Sequence, residues 1–568
     1  MSDPHTVPTL RVPDYVMRLE RLGSFFPSRL SFIPQLLRRI RQEEWTFNRT
    51  RFEINDHGFG TAVYQAQTQT RTYSLIVFSH DLSPENRSDR VIAEAWDATF
   101  NLFDGILTQA DIDRLAVNTP KQEAGRYSTS ELCLSRANKS VRLFDYVSNC
   151  LAQGQQPEAE RLTAVGYLMR TTAVYGSGKF GCADRGKIAD RAEFGTAFQV
   201  EMLGVYLFRW FTIDLVNHCA KAQGGGDSVE LDEGLSQCLG IGNSTGLGMS
   251  PFLLRHYKLI NQWVLARETA LARVRALPEA DHKEEFLELF ARGQRHIAQW
   301  RVEDEIQSQR IQTTQQDLRA LETVLPELLQ QPKPWDAVMR YVEAAYSIET
   351  QEFLASMLIA PHGEIVDDLG ATMRDESPSE IDVTMTVAEL KTLISNEYHW
   401  VLDIDFTDPQ QQKHFWYYSE DKIEPRFGHR YDEDGANLEM PLTVARDVQS
   451  LYRSLGEFSS DAPVAEMLLK YPHYRNSLRR IQVISSHPYG EIRDNLIAEG
   501  VRPLDILRLK LSFFGVMKFD PKSDLWLRVN MFQGAPLPSE LHRTCTNCPS
   551  WAYPLSGNHC CWHDCTKP

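Results

Sequence analysis

Along the chain the spacing of apolar residues changes period several times, and each change predicts a different kind of element. Between residues 51 and 81, "RFEINDHGFGTAVYQAQTQTRTYSLIVFSHD" alternates polar and apolar positions, with turn-forming residues at 55–60 and 67–70. A period of two belongs to half-buried strands, so three such runs separated by two turns predict an antiparallel meander. Gly58, Gly60 and Val63 are spaced as in the glycine-rich loop of protein kinases. That loop needs a lysine on the next strand and later H-R-D and D-F-G motifs, none of which is present, so the glycines are read as hairpin residues.

Beyond the meander the period lengthens. "STSELCLSRANKSVRLFDYVSNCLAQG" opens with Ser128 and Glu131 in the spacing of a capping box and brings Leu132, Val141, Phe144 and Val147 near one face of a predicted helix. Further helices are predicted over 161–174, 198–222, 251–277 and 283–329, the second of them apolar almost all round and therefore central. "QQPKPW" then punctuates the chain, and "DDLGATMRDESPSEIDV" reads as an acidic surface loop. Three later stretches alternate like strands: "HWVLDIDFTD", "RIQVISSH" and "RLKLSFFGVMKFDPKSDLWLRVNMFQ", the last with turn chemistry in "DPKSD". Together these patterns predict an α+β protein with an N-terminal antiparallel β meander in residues 1–118 and a large, mainly helical core over 119–330. A C-terminal mixed α/β region over 331–544 and a short Cys-rich tail at 545–568 complete it. Repeating strand–helix–strand units, which would build a parallel sheet, are not legible.

Composition narrows the function classes. A chain of 568 residues, 42% hydrophobic and 24% charged, is globular and long enough to enclose a pocket. Its net charge of −16 argues against a nucleic-acid partner, which demands a basic footprint. The longest apolar run, 202–216, carries Arg209 and Asp214 and is shorter than the roughly 20 residues of a membrane span, so no integral membrane insertion is expected. The opening residues lack the pattern of a secretory signal, which makes the cytoplasm the expected compartment. The arginine-rich "SRLSFIPQLLRRIRQEEW" is expected to be an amphipathic helix docked on its own protein. Cys133, Cys150, Cys182, Cys219 and Cys238 stand in apolar or helical contexts, as reduced buried thiols do.

Candidate chemistry gathers in a few stretches. In "GIGNSTGLGMSPFLL", Gly242, Ser244 and Gly246 match the G-x-S-x-G elbow of serine hydrolases, but the elbow needs a buried strand before it, and "SVELDEGLSQCLGI" does not read as one. The same stretch suits an anion cradle better: Ser250 and Pro251 open a helix, and Gly242, Ser244, Thr245, Gly246 and Gly248 precede its N-terminus, where free amides favour a phosphate or carboxylate. "AVYGSGKFG" resembles a P-loop in its Gly178-Lys179 pair, yet has Ala173 and Phe180 at key positions and reads as preceded by a helix. Lys179 and Arg185 nevertheless concentrate positive charge there, and Arg136 and Lys139, spaced for one helix face, are further candidate ligands. Asp214 and His218 lie four apart, so a carboxylate could orient an imidazole as general base. The aromatic and charged "HFWYYSEDKIEPRFGHRYDEDG" has the composition of a lid.

The reading that follows is a cytoplasmic metabolic enzyme, a transferase or lyase, acting on a phosphorylated or carboxylated small molecule by group transfer or elimination. Lys179 and Arg185 would anchor the charge, residues 242–248 would cradle it, and His218 with Asp214 would move the proton. No organic cofactor is indicated, and a homo-oligomer is compatible with the pattern. Two other classes stay open: a non-catalytic binding or assembly protein, and a serine hydrolase using "GNSTG". In the tail, Cys545, Cys548, Cys560 and Cys565 have the spacing of a closed, structural zinc site, in which His559 or His563 could replace one cysteine; an iron–sulfur site and a flexible end with reactive thiols stay open beside it.

Overall fold

In a computed structural model of the chain, the described residues are 9–83, 85, 95–121, 128–171, 191–246, 257–300, 302, 305–373, 379–408, 416–419, 425–427, 439–442, 444–493, 503–516, 518–523 and 526–541. The expected meander is present as β1 (Thr46–Ile54), β2 (Gly60–Gln67) and β3 (Thr72–Ser79), paired antiparallel. Its alternation works as predicted. Ala62, Tyr64, Ala66, Tyr73, Leu75 and Val77 enter the main core, while Val63, Ile76 and Phe78 form a smaller cluster on the other face with Phe103 and Leu115.

The sheet then continues through β4 (Ala98–Asp104), β5 (Glu131–Lys139), β6 (Tyr167–Thr171) and β7 (Gly240–Gly246). A separate three-stranded sheet holds β8 (Trp416–Ser419), β9 (Pro425–Phe427) and β10 (Glu439–Leu442). The hairpin of β11 (Lys518–Ser523) and β12 (Trp526–Met531) returns to complete a nine-stranded curled sheet of order β1-β2-β3-β4-β5-β6-β7-β12-β11. Strands from three of the four expected regions therefore share one sheet. Every neighbouring pair in it is antiparallel except β6–β7, which is parallel.

Helix Gln199–Gly224 packs along the inner face of this sheet, as its all-round apolar sequence predicts; 18 of its residues are buried. Its one fully buried cation, Arg209, donates to the carbonyls of Leu239, Ser236 and Pro536, which ties the helix to the start of β7. The arginine-rich helix Phe32–Gln42 buries Phe32, Ile33, Leu36, Leu37 and Ile40 in the main core and so docks on its own protein. A second core is built by Val387–Glu397, Val444–Ser454, Val464–Lys470 and Arg475–Ile484. Among the described residues no helix is long and apolar enough to cross a membrane.

Several elements differ from expectation, for identifiable reasons. The predicted helix from residue 128 begins as strand β5, and helix starts only at Phe144–Ala152. Ser128 and Glu131 do bond to each other, but in a turn that feeds a strand. Leu132, Cys133 and Leu134 are all buried, and a strand covered on both faces loses its period of two. The helix predicted at 161–174 is Ala159–Val165, closed by Gly166 at φ +78°, and β6 follows. Two strands predicted near the C-terminus are helical: "RIQVISSH" begins inside Arg475–Ile484, where Leu478, Ile481 and Ile484 recur at helical spacing, and "HWVL" forms the short helix His399–Leu402. "RLKLSFF" likewise lies in helix Pro503–Phe514, because Arg508, Lys510 and Ser512 are buried with their apolar neighbours and the alternation did not report exposure. The long helix over 283–329 is two, Lys283–Ala298 and Glu305–Leu328, with Trp300 at the break packed edge-on against Phe25.

Candidate functional site

The parallel pair β6–β7 gives the sheet one edge at which two adjacent strands both end. Tyr167 faces Gly240 and Arg170 faces Gly242, so the chain leaves β6 after Thr171 and β7 after Gly246 on the same side. The segment after Thr171 carries Lys179 and Arg185, and the one after Gly246 carries Gly248; these three residues lie outside the described residues. The carboxyl ends of adjacent parallel strands are where open α/β sheets bind ligands.

Here the expected glycine-rich turn is corrected. Gly242, Ser244, Thr245 and Gly246 belong to β7, with β12 antiparallel on the other side and Ser244 opposite Arg528. Residues within a strand flanked by partners cannot aim their amides at an anion as a helix-entry loop does, and Ser244 is not at a strand-to-helix elbow. Gly242 has a packing reason: a Cβ there would lie 2.5 Å from Arg170 Cγ and 2.8 Å from the Tyr167 ring. The stretch "AVYGSGKFG", read from sequence as following a helix, follows strand β6.

On the inner face, a chain of polar contacts runs beneath this edge. Ser135 Oγ and Thr171 Oγ1 are 2.9 Å apart, Asn243 Nδ2 donates to the Thr171 carbonyl at 2.9 Å, and Lys510 Nζ donates to Asn243 Oδ1 at 3.2 Å. Lys510 is only 3% exposed, and burial pulls its amine down to about 7. Sequence reasoning missed Lys510 because it sits at an alternating, apparently exposed position; a lysine inside "DILRLKLSFFGVM" was the available signal.

The outer face of the same strands is polar and equally buried. Thr99 faces Arg136 across β4–β5, and His80 Nε2 lies 2.8 Å from Thr99 Oγ1, with burial holding the imidazole below its ordinary value. The Arg136 guanidinium stacks over Trp96 at 4.2 Å, and burial lowers it to about 10. Asn138 and Arg170, register partners, are both fully buried. Asn101, also fully buried, has no hydrogen-bond partner on either amide atom among the described residues. Lys139, expected beside Arg136, projects to the inner face instead, because residues three apart in a strand point oppositely. Its amine lies 4.6 Å over the Phe144 ring, close to Cys219 and to Gly58 of the β1–β2 turn.

Asp214 and His218 share the central helix but have separate partners. Asp214 accepts from the Tyr64 hydroxyl at 2.7 Å and from Arg49 at 3.0 Å, while burial raises its carboxyl above the ordinary value. His218 Nε2 lies 3.0 Å from the Asn55 carbonyl, and its ring packs edge-on against Phe52. The structure thus brings His218 and Lys139 to the same turn, and puts Asp214 against β1 and β2.

A groove of about 610 Å³ between residues 9–15 and helices Tyr257–Arg275 and Pro334–Ala345 is lined by Arg11, Arg275, Asp336 and Glu343. The charges of these four are committed: Arg11 to Glu268 and Glu352, and Arg275 to Asp336 and Glu343. Of the scattered cysteines, Cys133 and Cys219 are buried and Cys150 and Cys238 half-buried, none of the four in a disulfide, whereas Cys182 and the five tail cysteines lie outside the described residues. Among the described residues no cluster of three or more His, Cys, Asp or Glu could hold a metal ion. Compared with known proteins, the chain matches no family model, no curated protein and no solved structure.

Proposed function

We propose that this protein is an enzyme acting on an anionic small molecule, phosphorylated or carboxylated, by group transfer or elimination. The observation that carries the reading is the parallel β6–β7 pair, which starts the Lys179/Arg185 segment and the Gly248 segment side by side above a buried, partly neutral Lys510. Two cation- or glycine-rich segments rooted at neighbouring strand ends favour an anion more than either does alone. Lys179 and Arg185 act as charge anchors, and Arg136 and Arg170 add positive charge on the outer face. His218 with Asp214 is the weaker part of the reading, since each is held by other partners.

A thermal-shift screen with phosphorylated metabolites, carboxylates, nucleotides and acyl-CoA thioesters tests it. A true ligand at 100 times its dissociation constant stabilises the fold by roughly 2.7 kcal/mol. Lys179→Ala should weaken that ligand while leaving the unliganded melting temperature nearly unchanged. No stabilisation by any anionic class would remove the reading. For the tail we propose a structural zinc on Cys545, Cys548, Cys560 and Cys565. Elemental analysis should find about one zinc per chain, lost on deleting residues 545–568.

A further inference from the structure

We draw no further inference here: the strongest candidate, the open groove of about 610 Å³ between residues 9–15 and helices Tyr257–Arg275 and Pro334–Ala345, has Arg11 and Arg275 already paired with carboxylates, and nothing in the structure shows what would fill it.

Discussion

Lys510 also sets a pH dependence that is measurable without any ligand. In the folded protein its amine titrates at about 7, held down by burial, whereas in an unfolded chain it titrates near ~10.4. Between those values the unfolded state binds the extra proton, so this residue makes stability rise with pH through the window, by up to about 1.4 kcal/mol per unit. Denaturant titrations at pH 7 and pH 10 should therefore show a larger gain for the parent than for Lys510→Met. Equal gains would mean that the amine is charged in the fold. Asn101 makes the opposite kind of case. It is fully buried with both amide atoms unpaired among the described residues, a penalty that an apolar residue of similar size removes. Asn101→Leu is expected to raise stability by about 1 kcal/mol, read as a shift in denaturation midpoint at unchanged slope.

At the scale of single elements, β7 separates packing from ligand binding. Gly242 lies under Arg170 and Tyr167, so Gly242→Ala should destabilise by about 1–3 kcal/mol before any ligand is added. A variant of normal melting temperature would show that the two side chains yield. Helix Val387–Glu397 offers a cleaner control in the second core. Thr386 Oγ1 accepts from the Glu389 amide, and the Glu389 carboxylate accepts from the Thr386 amide at 2.8 Å, a complete capping box. Thr386→Ala should cost about 1 kcal/mol.

At the scale of the whole molecule, buried ion pairs fasten the N-terminal segment to the helical body. Arg11 bonds Glu268 at 2.7 Å and Glu352 at 3.0 Å, and Arg267 also reaches Glu268. Burial pushes the Glu268 carboxyl up, but Arg11 and Arg267 outweigh it and hold the group below its ordinary value. Its contribution to stability is therefore present above the unfolded carboxylate value, ~4.3, and is lost as pH falls through the lower folded one. Arg11→Ala should destabilise by about 3–5 kcal/mol at pH 7, because it leaves two buried carboxylates short of a partner, and the deficit should shrink in acid. An unchanged midpoint would show that residues 9–15 are dispensable to the fold.

The sequence by itself determined the elements whose physics is local. The β1–β3 meander was legible because one face of each strand is core and the turns at 55–60 and 67–70 carry their own chemistry. The central helix was legible because apolar residues surround it, and the Phe32–Gln42 helix because its buried stripe outlasts its arginines. Only the tertiary structure decided β5, β6 and β7. These are strands because neighbours on both sides take up their backbone groups and both faces are covered, a condition that no single-chain periodicity records. The same holds for the site. Lys179 and Gly248 announce themselves by composition, but that their segments begin side by side depends on the parallel pairing of strands some seventy residues apart. The distinction between Lys510 and Arg508 is likewise tertiary, since it rests on which partners other elements bring to each. Local pattern fixes what a residue offers, and packing fixes what it is offered in return.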